Sequence, residues 1–243
     1  MYTPEEILEQ TAATAVVKVN KPLFTKLILG FIGGAMISLG YLAYLRVGGG
    51  FVGAAVFPVG LIVILLAGGE LITGNMMAVA VGYFKQRVTL KELLNNWVVI
   101  TLANLVGAIF VAYVFGVLAG TLTTGDALKE ALHVTQAKLN ANFLTAFCSG
   151  MGCNWFVGLA VWLSYGAKDF SGKILAIRFP VMTYVVIGFQ HSVANRFLIP
   201  FSIFVAYATW WDFLNTFVPV YLVNVVGGAI LIALFYSLAY RKH

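Results

Sequence analysis

FPVMTYVVIGFQHSVANRFLIP, from Phe179 to Pro200, is an apolar run with polar groups set into its middle. Gln190, His191, Ser192 and Asn195 stand where a membrane helix is expected to be oily. An ionisable side chain at membrane depth is expensive, and it usually faces a bundle interior or a watery path. His191 is therefore read as a functional residue; a satisfied core histidine tying two helices together is the competing reading.

Outward from that run, the 243 residues are 61% hydrophobic and 10% charged, against about 25% charged in a soluble domain. Repeated apolar stretches of about 20 residues, each long enough to cross about 30 Å of hydrocarbon, define an all-α, multi-pass membrane protein. The net charge of +6 lies in short clusters between these stretches, which fits topology determinants and argues against nucleic acid as a partner. Cys148 and Cys153 are expected to be small buried hydrophobes. No metal or cofactor site is expected.

The first 26 residues read as a cytoplasmic interfacial helix without a cleavable signal. Thr3 and Glu6 form a capping box, Pro4 suits the first helical position, and Ile7, Leu8, Ala12, Ala15 and Val16 recur at helical spacing. A channel domain over residues 27–240 and a cytoplasmic tail at 241–243 complete the expected organisation. The first span covers Leu27 to Leu45, the third Trp97 to Leu118, the fourth Phe143 to Tyr165 and the sixth Phe213 to Tyr240. The second region, Phe51 to Phe84, and the fifth, Ile174 to Thr209, are each too long for one crossing and too short for two. Gly68, Gly69, Glu70, Thr73, Gly74 and Asn75 mark the centre of the second, as the opening run marks the fifth. Both are expected to break inside the membrane, which is tolerable only where protein or a watery cavity surrounds the loop. Glu70 is expected to accept hydrogen bonds from loop N–H groups.

With six crossings, Lys18, Lys21, Lys26, Lys85, Arg87, Lys91, Lys168, Lys173, Arg178, Arg241 and Lys242 share one side, and Arg46, Lys129 and Lys138 share the other. This bias predicts cytoplasmic termini in a plasma-membrane protein. Arg196, inside the fifth region, receives no role. Phe57-Pro58-Val59 and Phe179-Pro180-Val181 open the two long regions, and Asn75 and Asn195 follow their centres. Asn104-Leu105-Val106-Gly107-Ala108 corresponds to Asn224-Val225-Val226-Gly227-Gly228. Two halves of three spans enter the membrane from opposite faces: an inverted 3+3 repeat, an architecture that builds transport sites where broken helices meet.

Half-helix termini present unpaired N–H groups and partial positive charge, which favour an anion or electron-rich solute. Thr73, His191, Asn195 and Asn154 are the polar side chains placed around that point. No carboxylate pair or nucleophile triad accompanies them, so an enzyme is not expected. An anion loses several kcal/mol on leaving water for an apolar constriction. A small weak acid that gains a proton through His191 avoids much of that cost.

Three stretches in order, Gly69-Glu70-Leu71-Ile72-Thr73-Gly74-Asn75, Asn154-Trp155-Phe156-Val157-Gly158-Leu159-Ala160-Val161-Trp162 and Gly188-Phe189-Gln190-His191-Ser192-Val193-Ala194-Asn195, resemble the formate/nitrite transporter family across essentially the whole chain. The resemblance implies an aquaporin-like protomer, a homopentamer with one pore per subunit, and passage of small monovalent anions (formate, nitrite or hydrosulfide) or their acids. By position it implies His191 as the pore histidine, Thr73 as its partner, Asn154 and Asn195 as polar surroundings, and Lys138 as the vestibule lysine. It also implies Phe57, Leu61, Ile72, Val157 and Tyr184 as two hydrophobic constrictions. Gln190 stands where many members carry Glu, and Ile72 and Tyr184 replace Phe. A water or glycerol channel shares the architecture, but its paired Asn-Pro-Ala motifs are missing.

Overall fold

The computed structural model describes residues 1–240 and is helical throughout its regular structure. Arg241 and Lys242, which contribute to the charge bias, and the tail at 241–243 lie outside the described residues. Six helices are long and apolar enough to span a membrane: Leu23–Arg46, Gly50–Ala67, Leu90–Leu118, Phe143–Gly166, Phe170–Ile187 and Trp210–Ala239.

In chain order, α1 (Pro4–Asn20) precedes α2 (Leu23–Arg46), so the second helix starts inside the segment assigned to the N-terminal unit. α3 (Gly50–Val56) and α4 (Val59–Ala67) flank Pro58, and α5 (Ile72–Phe84) follows. α6 (Leu90–Val111) continues as the π-helical turn Ala112–Leu118. α7 (Gly125–Leu139), α8 (Phe143–Gly166), α9 (Phe170–Ile187) and α10 (Ser192–Phe204) come next. α11 (Trp210–Val225), the π-helical stretch Val226–Leu234 and α12 (Phe235–Ala239) form the last span.

Local chemistry explains the boundaries. Thr3, Thr89 and Thr209 each close a reciprocal capping box, with Glu6, Glu92 and Asp212 respectively; these satisfy N–H groups that a helix start otherwise leaves orphaned. Gly68 at φ +106° ends α4 and Gly188 at φ +83° ends α9, a backbone region that side chains with a Cβ seldom enter. Non-helical backbone then runs from Gly68 to Leu71 and from Gly188 to His191. The third span starts at Leu90 and not at Trp97, because Thr89 supplies its cap. The polar segment 121–141 folds as a helix, α7: Ala127, Ala131 and Thr135 recur every fourth residue and are buried together.

The same contacts recur 120 positions apart. Asn104 accepts from the Ile72 N–H at 2.9 Å and donates to the Gly30 carbonyl at 2.6 Å. Asn224 accepts from the Ser192 N–H at 3.1 Å and donates to the Gly150 carbonyl at 2.6 Å. A Cβ on Gly107 would overlap the Phe31 carbonyl oxygen, and one on Gly227 the Met151 carbonyl oxygen, so each glycine permits a helix pair to touch backbone to backbone.

Contrary to expectation, Cys148 is exposed; only Cys153 is buried. Cys148 lies on the outward side of α8, lining a groove with Leu144 and Phe189.

Candidate functional site

The second non-helical segment meets the first turn of α5. His191, the N-cap of α10, accepts from the Ala194 N–H at its Nδ1, 3.2 Å away. A ring nitrogen that accepts carries no proton, so the neutral ring is assigned its hydrogen on Nε2. Nε2 lies 3.1 Å from Thr73 Oγ1 in the first turn of α5, and donates to it. Thr73 is wholly buried and His191 is 2% exposed.

One cavity of about 280 Å³ opens beside this pair, lined among others by His191, Gln190, Tyr184, Phe57 and Lys138. Tyr184 packs against the imidazole at 5.9 Å between centroids and edge-on to Phe57 at 6.2 Å. A much smaller cavity is lined by Leu61, Gly69, Gly74, Asn75 and Lys18. His191 lines the larger cavity, and Gly74, the chain neighbour of Thr73, lines the smaller one. Ile72 and Val157 line neither cavity; with Phe57, Leu61 and Tyr184 they belong to one contiguous apolar cluster. Lys138 comes from the end of α7, half-buried on the cavity wall, and partial desolvation there lowers its pKa from 10.5 to about 8.

The asparagines sit one layer out from the pair. Asn154 donates to the Asn224 carbonyl at 2.6 Å and towards the Met76 sulfur at 3.4 Å. Asn195 donates to Gln190 Oε1 at 3.0 Å. Their amide nitrogens thus brace helices and the second loop, and neither residue lines the two cavities described above. Gln190 is also held through its N–H, which donates to Ser149 Oγ at 2.8 Å.

Glu70 corrects the sequence expectation. Its carboxylate takes no loop N–H; Lys18 Nζ reaches one oxygen at 2.7 Å, Lys21 Nζ the other at 2.5 Å, and Asn75 Nδ2 the first again at 2.8 Å. A carboxylate only 1% exposed needs charge as well as hydrogen bonds to be tolerated, and α1 supplies it. Sequence reading missed Lys18 and Lys21 because both look like ordinary surface charges at a helix end. The available signal was register: Ile7, Leu8, Thr11, Ala12, Ala15, Lys18 and Val19 form one buried face, and Lys18 continues it at helical spacing. Glu9, on the same helix, bonds Lys85 at 2.9 Å and also Arg87, pinning the other end of α1 to the turn after α5.

Six apolar spans, a buried imidazole that links two distant segments and a cavity beside it that Lys138 lines define a helical membrane channel or transporter. The formate/nitrite transporter family model matches residues 5–238, and the chain belongs to that family. It is 48% identical over 251 residues to the formate channel BtFdhC of Bacillus thuringiensis, covering 99% of this chain and 96% of that one. It is 30% identical over 277 residues to the formate channel FocA of Haemophilus influenzae, covering 99% and 95%. Among solved structures, an FNT family ion channel superposes with TM-score 0.89 at 28% identity, covering 96% of this chain and 98% of that one. A pentameric formate channel with formate bound gives TM-score 0.77 at 27% identity, covering 90% and 98%.

Proposed function

We propose that this protein is a formate channel of the plasma membrane, and that formate passes between Thr73 and His191. The observation that carries the reading is the Thr73–His191 hydrogen bond, which joins residues 118 apart in sequence on the wall of the larger cavity, which His191 lines. Kinship to formate channels of two bacteria supports the choice of anion.

In this reading the chain is an inverted repeat whose second and fifth membrane segments are broken, and five copies assemble with one pore each. Both termini face the cytoplasm. Lys138 collects the anion in the larger cavity, Phe57 and Tyr184 narrow the way beyond it, and Leu61, Ile72 and Val157 narrow the far side. Asn154 and Asn195 hold the loops in place around the pair.

At the centre, His191 acts as a neutral hydrogen-bond donor. Loss of its Nε2 proton would leave an imidazolate, so the ring cannot protonate a guest in this arrangement. Proton linkage through His191 requires Nδ1 to release the Ala194 N–H and take a proton first. The anion replaces Thr73 as the acceptor for Nε2–H, and the Thr73 hydroxyl turns its own hydrogen towards the guest.

Uptake into proteoliposomes tests this. Formate flux well above glycerol flux, and lost on His191→Ala, is the expected result; glycerol flux that ignores His191 would overturn it. Nitrite and hydrosulfide, run alongside, decide whether formate is the preferred anion.

A further inference from the structure

We infer that Arg196 is an anion-selectivity residue whose missing counter-charge is supplied by the permeating anion itself; the inference rests on the channel reading above. Arg196 is 0% exposed, and among the described residues none of the nine Asp and Glu side chains forms an ion pair with it. One guanidinium nitrogen, Nη1, donates to the Thr101 carbonyl at a long 3.3 Å. The group stacks over the Phe217 ring at 4.7 Å and lies 5.8 Å from the Tyr221 ring. Nε and Nη2 have no hydrogen-bond partner among the described residues.

Aromatic faces attract a cation but do not neutralise it. A buried charge left without an opposite charge is strongly destabilising, so its retention calls for a partner. Because the side chain is enclosed within a single chain, neither a lipid headgroup nor a second copy can reach it. What remains is an anion inside the channel, felt through the intervening protein, since Arg196 lines neither cavity described above. Arg196 lies on α10, whose N-cap is His191; five residues of helix put it roughly 7 Å further along the axis. Through protein of low polarizability, a full charge at such a separation acts on a visiting anion with little screening. The N-terminus of the 13-residue α10 adds partial positive charge in the same direction.

The other half supplies an internal control. The position 120 earlier, Met76, is neutral and equally buried, and its sulfur receives Asn154 Nδ2. At this pair of equivalent positions only the His191 half carries a charge; the charges near the first loop, Glu70 with Lys18 and Lys21, are paired with one another.

The test compares formate with formamide, a neutral molecule of nearly the same shape, in proteoliposomes of the assembled protein at neutral pH. Arg196→Met should lower the formate-to-formamide flux ratio about tenfold or more, while Arg196→Lys, which keeps the charge and gives up the planar stack, should hold the ratio within about threefold of wild type. A merely structural role would lower both fluxes together and leave the ratio unmoved, which would overturn the inference. If Arg196→Met fails to assemble, Arg196→Gln against Arg196→Lys carries the same comparison, and equal ratios in those two would overturn it. A wild-type protein that conducts no formate refutes the channel reading instead, so the two failures are distinguishable.

Discussion

At the scale of single residues, the proposed channel relies on two groups to receive an anion: Lys138 in the larger cavity and a neutral His191 beside it. Lys138 titrates near pH 8 because burial disfavours its charged form. Its ammonium is therefore largely charged at about pH 7 and largely neutral at about pH 9, so anion capture should decline across that interval. Formate keeps the same charge throughout, which makes the lysine the variable. Lys138→Met should flatten the decline in a pH series of initial uptake rates. An unchanged slope in the variant would assign the pH dependence elsewhere. His191 and Thr73 were legible in sequence, since a histidine inside an apolar run and a threonine in a glycine-rich break have few bland explanations. Lys18, Lys21 and the paired use of Glu70 were not: the partners are 52 and 49 residues apart, and no local pattern joins them.

At the scale of elements, the fold spends asparagines and glycines on holding interrupted backbone. Asn104 makes three bonds, to the Ile72 N–H and the carbonyls of Gly30 and Glu70, tying α2, α6 and the first loop together. Asn104→Leu leaves those buried groups unpaired, each at about 1–3 kcal/mol, and should lower thermal stability in detergent by more than Leu at exposed Asn215. Equal shifts for the two would show that the loop is held some other way. Docking of α1 makes a second element-scale prediction. Lys18→Met leaves the Glu70 carboxylate with Lys21 and Asn75 alone, and should increase hydrogen exchange over residues 4–20; no change would mean that the apolar face and Glu9 suffice. Asn104 and Asn224 were visible in the sequence as a repeated pattern, but not as clamps, because hydrogen bonding to a distant loop leaves no periodic trace. The helical form of 121–141 was hidden by its polarity, its buried face being only alanine and threonine.

For the whole molecule, hydropathy and spacing carried most of the architecture: the six spans follow from lengths of apolar sequence, with boundaries moved by a few residues where a threonine cap begins a helix early. Assembly leaves a weaker imprint, because lipid-facing and subunit-facing surfaces are both apolar. Leu27, Ile28, Phe31, Ala103 and Val106 line an outward apolar groove between α2 and α6. Native mass spectrometry from mild detergent should give five chains per particle; a stable monomer that conducts formate would remove assembly from the account. The central claim is that two distant interruptions act as one gate, and a double-mutant cycle on formate flux tests it most directly. Thr73→Val and His191→Ala should each reduce uptake, and the double variant should lose no more than the worse single one, since interacting residues are non-additive. Losses that multiply as if independent, or single variants that conduct like wild type, would contradict it.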